Sequence, residues 1–237
     1  MRLAVSGTYS SGKTRTVMAL SHYTGIPRTL ARAIREILPE AVPGKTLAQC
    51  TPAEFLQLMM RRHVSRSVHE ALVGEEFVSD GSSLQEWLYG AARVRHGMNP
   101  NATAHLDTIE RREDDGDMIF FEKVVHQFGH AFKQHVKNTF DAFVHLRHEL
   151  PITDDGHRPM NERFRTTIDT MLLTTLDELR IPCHVVEGSF SDRLTAIVDL
   201  YGFPTVMGLD QAMERANDDY AQLDLRLETE RAHAATA

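Results

Sequence analysis

An α/β fold built on a parallel sheet, with helices on both faces, is what the 237-residue sequence predicts. Two observations carry the prediction. The short apolar run Leu3–Ser6 leads straight into the loop Gly7-Thr8-Tyr9-Ser10-Ser11-Gly12-Lys13-Thr14 and then into a helix-forming stretch. Further strand candidates at 76–80, 142–146 and 183–186 alternate with segments of helix length. Hydrophobic residues, at 42%, suffice for a full core, and the length fits a single domain, 1–237, carrying a helical insertion.

Taken in order, the first helix runs from about Lys13 to Tyr23, with Val17, Ala19 and Leu20 available for packing. Residues 29–38 form an arginine-rich helical stretch. Thr51-Pro52-Ala53-Glu54 is a capping box with proline at the first helical position, so a helix starts there and runs to about Leu72, burying Phe55, Met59 and Val68. The second strand ends at Asp80. Ser83-Leu84-Gln85-Glu86 reads as another capping box, opening a helix through about Arg95. Residues 97–117 read as polar loop, charge-dense from Glu110 onward. The helix 118–139 places Phe121, Val125, Phe128, Phe132 and Val136 on one face. A helix at 161–179 separates the last two strands, a short one follows at 191–200, and a polar one closes the chain at 209–231. Residues 51–139 thus supply the helical, acceptor-side region.

Composition restricts the function. A net charge of −7 argues against nucleic acid as the main partner. Cys50 and Cys183 have no metal-ligand spacing and read as free thiols of a reducing compartment. With no secretion signal and no run of bilayer length, the expected place is the cytoplasm, away from membranes.

The loop satisfies G-x-x-x-x-G-K-[ST]. Its glycines let successive N–H groups point at phosphate oxygens, Lys13 reaches the β- and γ-phosphates, and the Thr14 hydroxyl ligates magnesium. Gly7, Ser10, Ser11, Gly12, Lys13 and Thr14, with position 15 (Arg15) beside them, form the nucleotide-binding set, for ATP or else GTP. In a parallel sheet, ligands bind beyond the carboxyl ends of the strands. Asp80 is such an end, suited to hold a magnesium-bound water or to take a proton from an acceptor hydroxyl. Glu86 is accounted for by its capping box. Arg32 reads as solvated, whereas Arg35 suits a phosphate or carboxylate contact. Asp154-Asp155-Gly156-His157-Arg158, followed by Arg163 and Arg165, suggests an arginine-bearing lid at about 151–165 that covers the nucleotide. Trp87, Tyr89 and Arg93 are the expected lining of the acceptor pocket, with Arg163 near the substrate. His126 and His130, at i, i+4, fall on the polar side of their helix and lack a third ligand.

Four of these places together resemble the nucleoside-kinase-like P-loop ATPases that include the ribosylnicotinamide kinase domain of the bacterial NAD-biosynthesis regulator. They are the loop G-T-Y-S-S-G-K-T, the helix around Ile34-Arg35-Glu36, the run D-A-F-V-H-L with P-I-T-D-D-G-H-R-P, and I-P-C-H-V-V-E-G-S-F-S-D-R-L. The likeness spans residues 1 to about 202. It implies an adenylate-kinase-like, three-layer sandwich with a five-stranded parallel sheet. It also implies that Arg35 approaches substrate phosphate or ribose, that Arg158 is the lid arginine, and that Ser189 and Arg193 lie near adenine. Where that family commonly ends its third strand with two carboxylates, Ser79-Asp80-Gly81-Ser82 offers one.

The expected activity is an ATP-dependent, magnesium-assisted kinase acting on a hydroxyl of a nucleoside-like or other small metabolite. Lys13, Arg158 and Asp80 would be its catalytic residues and Thr14 with Asp80 its metal ligands. The alternative is a nucleotide-dependent switch with slow hydrolysis, for which no guanine-reading N-K-x-D run exists in the chain. A homodimer through the terminal helix is compatible with its charges.

Overall fold

The computed structural model describes residues 1–105, 115–149, 151–152, 154, 158–224 and 226–234. Strand β1 (Arg2–Ser6) is central. It pairs in parallel with β2 (Phe77–Asp80) on one side, Leu3 opposite Val78, and with β3 (Ala142–Leu146) on the other, Leu3 opposite Ala142. The edge strand β4 (Cys183–Val186) pairs with β3, giving the order β2-β1-β3-β4. All four run parallel, so their carboxyl ends, and the loops that follow them, gather along one edge.

The described residues form four strands, not the five that the resemblance implies. Outside β2 there is a single parallel bridge in place of a fifth strand. Val78 N donates to Pro27 O at 2.9 Å, and Thr29 N donates to Val78 O at 3.0 Å. Pro27 has no N–H to extend the ladder. Because Thr29 spends its N–H on β2, the helix expected from residue 29 starts only at Ile34, as α2 (Ile34–Ala41).

The period-2 alternation of β1 sorts the two faces of the sheet. Leu3 and Val5, with Val78 and Val144, pack against α1 (Lys13–Thr24), α7 (Phe190–Tyr201) and α8 (Leu209–Ala221). Ala4, Phe77 and Phe143 pack against α4 (Ser83–His96), the end of α5 (Gly116–Thr139) and α6 (Glu162–Leu179). A third cluster joins α2, α3 (Pro52–Val73) and α5 through Leu38, Phe55, Met59, Phe121 and Val125. Helices α2 and α3 precede β2 and α5 follows it, so this cluster is built from both sides of the second strand.

Helix α3 begins as expected. Thr51 Oγ1 accepts from Glu54 N, and Glu54 returns the contact to Thr51 N. Its buried stripe, however, continues past Met59 as Arg62, Arg66 and Glu70, while Val68 stays half exposed. The cap of α4 lies one residue earlier than read. Ser82 Oγ accepts from Leu84 N, and Gln85 Oε1 accepts from Ser82 N at 2.7 Å, which releases Glu86 from capping. The terminal helix is two helices, α8 and α9 (Glu228–Ala234), both packed on the body of the molecule. Ala212 and Ala216 are fully buried, and the Glu228 carboxylate accepts from Leu47 N at 3.0 Å. Among the described residues no helix is long and apolar enough to cross a membrane.

Candidate active site

The loop between β1 and α1 has the backbone that its glycines allow. A Cβ on Gly7 would stand 2.6 Å from Ser11 Oγ and 2.9 Å from Leu146 O, so only glycine fits. Gly12, at φ 85°, turns the chain into α1, whose first turn has no side-chain cap and leaves its N–H groups to an anion. Ser10 also takes a left-handed conformation, φ 61°, which costs a non-glycine residue roughly 1 kcal/mol. Lys13 Nζ donates to Thr8 O at 2.7 Å. Its removal from water lowers its pKa to about 8, against the opposing pull of Asp80.

The end of β2 adjoins this loop because β2 and β1 are paired in register, Val5 opposite Asp80. Thr14 Oγ1 donates to Asp80 Oδ2 at 2.6 Å. Arg158 Nη1 approaches Ser10 Oγ at 3.4 Å. A desolvated lysine, an uncapped helix start and a hydroxyl–carboxylate pair fit a magnesium nucleotide, with Thr14 and Asp80 as the groups that would hold the cation. Among the described residues no cluster of three or more His, Cys, Asp or Glu side chains forms a separate metal site. His126 and His130 are exposed, their rings 4.8 Å apart.

A cavity of about 560 Å³ opens from this loop. Gly12, Lys13, Thr14 and Arg158 bound one part of it, and Arg35 of α2 with Phe55, Arg62 and Arg66 of α3 bound another. Helix α4 closes it with Gln85, Glu86, Tyr89 and Arg93. Tyr9 and Tyr89 stack with centroids 6.2 Å apart, and burial raises both phenol pKa values. The Arg93 guanidinium lies 4.2 Å from the centre of the Phe55 ring, and burial lowers its pKa to about 10.

Two residues expected in the acceptor pocket, Trp87 and Arg163, stand outside the cavity lining. Trp87, on the same helix as Tyr89, faces α5, where its ring meets Gly129 and the Lys133 ammonium. It does not line the cavity, because alternate positions of α4 point to opposite sides. Arg163 is exposed on α6 and also outside the lining. Ser189 caps α7 by accepting from Asp192 N. Arg193 braces the phosphate-binding loop from behind, donating to Ser11 O at 2.7 Å and to Glu149 at 2.6 Å. Of the lid segment, residues 153 and 155–157 lie outside the described residues, as do residues 110–114 of the charge-dense loop.

Sequence reasoning missed three features. Arg165 is 1% exposed and reaches Thr8 Oγ1 from α6 at 3.2 Å, a second brace on the loop. Glu86 is buried and accepts from Arg62 and Arg66. Burial alone would raise its carboxyl pKa, yet the two guanidiniums hold it below the ordinary value. At the end of β1, buried Ser6, His145 and Asp169 form a polar chain that the part-exposed His148 extends. The spacing of Arg62, Arg66 and Glu70 along the stripe of Phe55, Leu58 and Met59 is the signal that could have revealed the arginine pair.

The family model described as an AAA domain matches residues 2–193, four-fifths of the chain. The chain belongs to the AAA-domain family. The matched stretch of this AAA-domain chain runs from β1 to Arg193 and so contains the loop, Asp80 and every wall of the cavity except Tyr220. Comparison with curated proteins finds no match. Among solved structures, the chain is similar to deoxyadenosine kinase from M. mycoides with bound dCTP. The TM-score is 0.53 at 12% identity, over 85% of this chain and 99% of that one. A second structure of that kinase, with products dCMP and a flexible dCDP bound, gives a TM-score of 0.45 at 10% identity, over 94% and 100%. The first comparison shows a shared fold.

Proposed function

We propose that the protein is a P-loop phosphotransferase that moves the γ-phosphoryl group of ATP to a hydroxyl of a nucleoside-like or other small metabolite, in the manner of the nucleoside-kinase-like group that its motifs resemble. One observation carries this reading. The phosphate-binding loop and the α2–α3–α4 wall bound a single cavity, so a donor phosphate and a second small molecule fit side by side. A kinase needs that juxtaposition because positioning and charge stabilisation supply most of the catalysis.

Lys13 and Arg158 would neutralise the charge that develops on the transferred group. Magnesium, held at Thr14 and Asp80, would supply further neutralisation. Asp80 either holds a water of that ion or accepts the hydroxyl proton as the new O–P bond forms and ADP leaves. Either role places its carboxylate at the junction of the two substrates, beside Thr14.

The test is ADP release from Mg-ATP across a panel of small acceptors, with Lys13→Ala as control. Release that rises with one acceptor and vanishes in the folded control is the expected result. Slow release that no acceptor changes would replace this reading with a nucleotide-dependent switch.

A further inference from the structure

Among the described residues, seven cationic side chains line the cavity against two carboxylates. Lys13, Arg15 and Arg158 lie toward the phosphate-binding loop, where a nucleoside triphosphate brings its own negative charge. Arg35, Arg62, Arg66 and Arg93 lie on the helical walls. Asp80 is turned to Thr14, which leaves Glu86 as the one lining carboxylate set among those four.

Glu86 cannot balance even the nearest two. Its Oε1 accepts from Arg62 Nε at 3.2 Å and from Arg66 Nε at 3.0 Å, with exposures of 4%, 8% and 5% for Glu86, Arg62 and Arg66. Two guanidiniums on one carboxylate leave a buried positive charge in excess, an arrangement that destabilises a fold unless something else answers it. Arg62 Nη1, moreover, has no hydrogen-bond partner among the described residues. Arg66 Nη1 donates to Asp80 O at 2.9 Å, tying the pair to the strand end where transfer would occur. Guanidinium groups, with planar sets of N–H donors, are suited to phosphate.

We infer that the acceptor is itself an anion, a phosphomonoester whose phosphate is held at Arg62 and Arg66. The inference rests on the kinase reading above, which it deepens by naming the class of acceptor. Phosphate fits better than carboxylate because Arg93, which meets carbonyl oxygens and aromatic rings rather than a carboxylate, lines the same cavity, and a dianion answers more than one excess charge. The anchored phosphate stays on the acceptor. A hydroxyl of the same molecule takes the γ-phosphoryl group and loses its proton. The stacked Tyr9 and Tyr89 rings offer a flat surface for the remainder of that molecule.

The experiment is calorimetric titration of the full chain with matched pairs: adenosine and AMP, ribose and ribose 5-phosphate, glucose and glucuronate. The protein is first saturated with magnesium and a non-transferable ATP analogue, so that the loop is filled. Binding of the analogue alone is measured beforehand and tests the nucleotide site separately from the anion site. At least one phosphorylated member should bind about ten-fold or more tightly than its neutral partner, the difference that one or two charge-assisted contacts provide. Arg62→Met leaves Arg66 and Glu86 matched one to one, and it should collapse that preference. Equal or weaker binding of the phosphorylated members, a preference for glucuronate alone, no binding of any member, or a preference that survives in Arg62→Met would each overturn the proposal. A phosphate preference without turnover would count against the kinase reading and leave the anion site standing.

Discussion

Lys13 shows how one residue's chemistry depends on its neighbours. Desolvation sets its pKa near 8 in the free protein, and a bound triphosphate would raise it again. The sign follows. Well below pH 8 the ammonium is already charged and binding takes up no proton, whereas between that value and the higher pKa of the complex, binding must take one up. At pH 8.5–9, proton uptake on binding the magnesium nucleotide should therefore approach one per site and fall to about zero near pH 6.5. Calorimetry in buffers of different ionisation enthalpy reads this directly. Uptake that is flat across that range, or identical in Lys13→Met, would exclude Lys13 as the titrating group. The loop lysine was legible from its motif alone. The Arg62–Glu86–Arg66 group was only partly so: Arg62 and Arg66, seven and eleven residues past Phe55, keep the spacing of the buried stripe, but a guanidinium there looks the same in sequence whether it faces water or a cavity.

At the scale of elements, capping and periodicity were the dependable signals. The Thr51 box places the start of α3 at the expected residue, and the apolar stripe of α5 is buried at Phe121, Val125, Phe132 and Val136. The α4 box was misread by one position because Ser82 and Ser83 are both competent caps, and the choice falls to the one whose backbone is extended. That single step decides whether Glu86 faces its own helix start or the arginines of α3. Close helix contacts were not legible at all. A Cβ on Gly129 would sit 2.7 Å from Trp87 Nε1, whereas one on Gly90 would meet the flexible end of Met59. Gly129→Ala should thus destabilise the protein by about 1–3 kcal/mol through overpacking. Gly90→Ala should cost less, since the flexible Met59 tip gives way more readily than a Trp ring and alanine gains helix propensity, against a tight contact with Val125 Cγ2 at 3.3 Å. Urea unfolding of the two variants makes the comparison, and equal midpoints would refute it.

Across the whole molecule, the C-terminal segment ties the helix that follows the phosphate-binding loop to the helical walls of the cavity. Helix α8 lies on α1, with Asp219 meeting His22 and Arg28. Further on, α9 reaches the turn that precedes α3, where Glu228, 2% exposed, takes the N–H of Leu47. Glu228→Ala would leave that buried donor unsatisfied, at a cost of about 1–3 kcal/mol. For a chain of this size that is a fall in Tm of roughly 2–4 °C per kcal/mol, with nucleotide affinity little changed because α9 lies outside the cavity lining. An unaltered Tm would mean that this strap carries no load.

The sequence by itself determined the phosphate-binding loop, the four strands, the helices between them and hence the parallel three-layer class. These depend on contacts close along the chain: glycine torsions, hydroxyl caps and the period of apolar residues. Only the tertiary structure decided that the fifth strand shrinks to a bridge at Arg28, that Trp87 and Arg193 support walls and loops, and that Glu86, Arg62 and Arg66 meet beside Asp80. Those outcomes depend on which way a helix is rotated when it docks. That rotation is fixed by the packing of side chains brought together from distant parts of the chain, which no local pattern records.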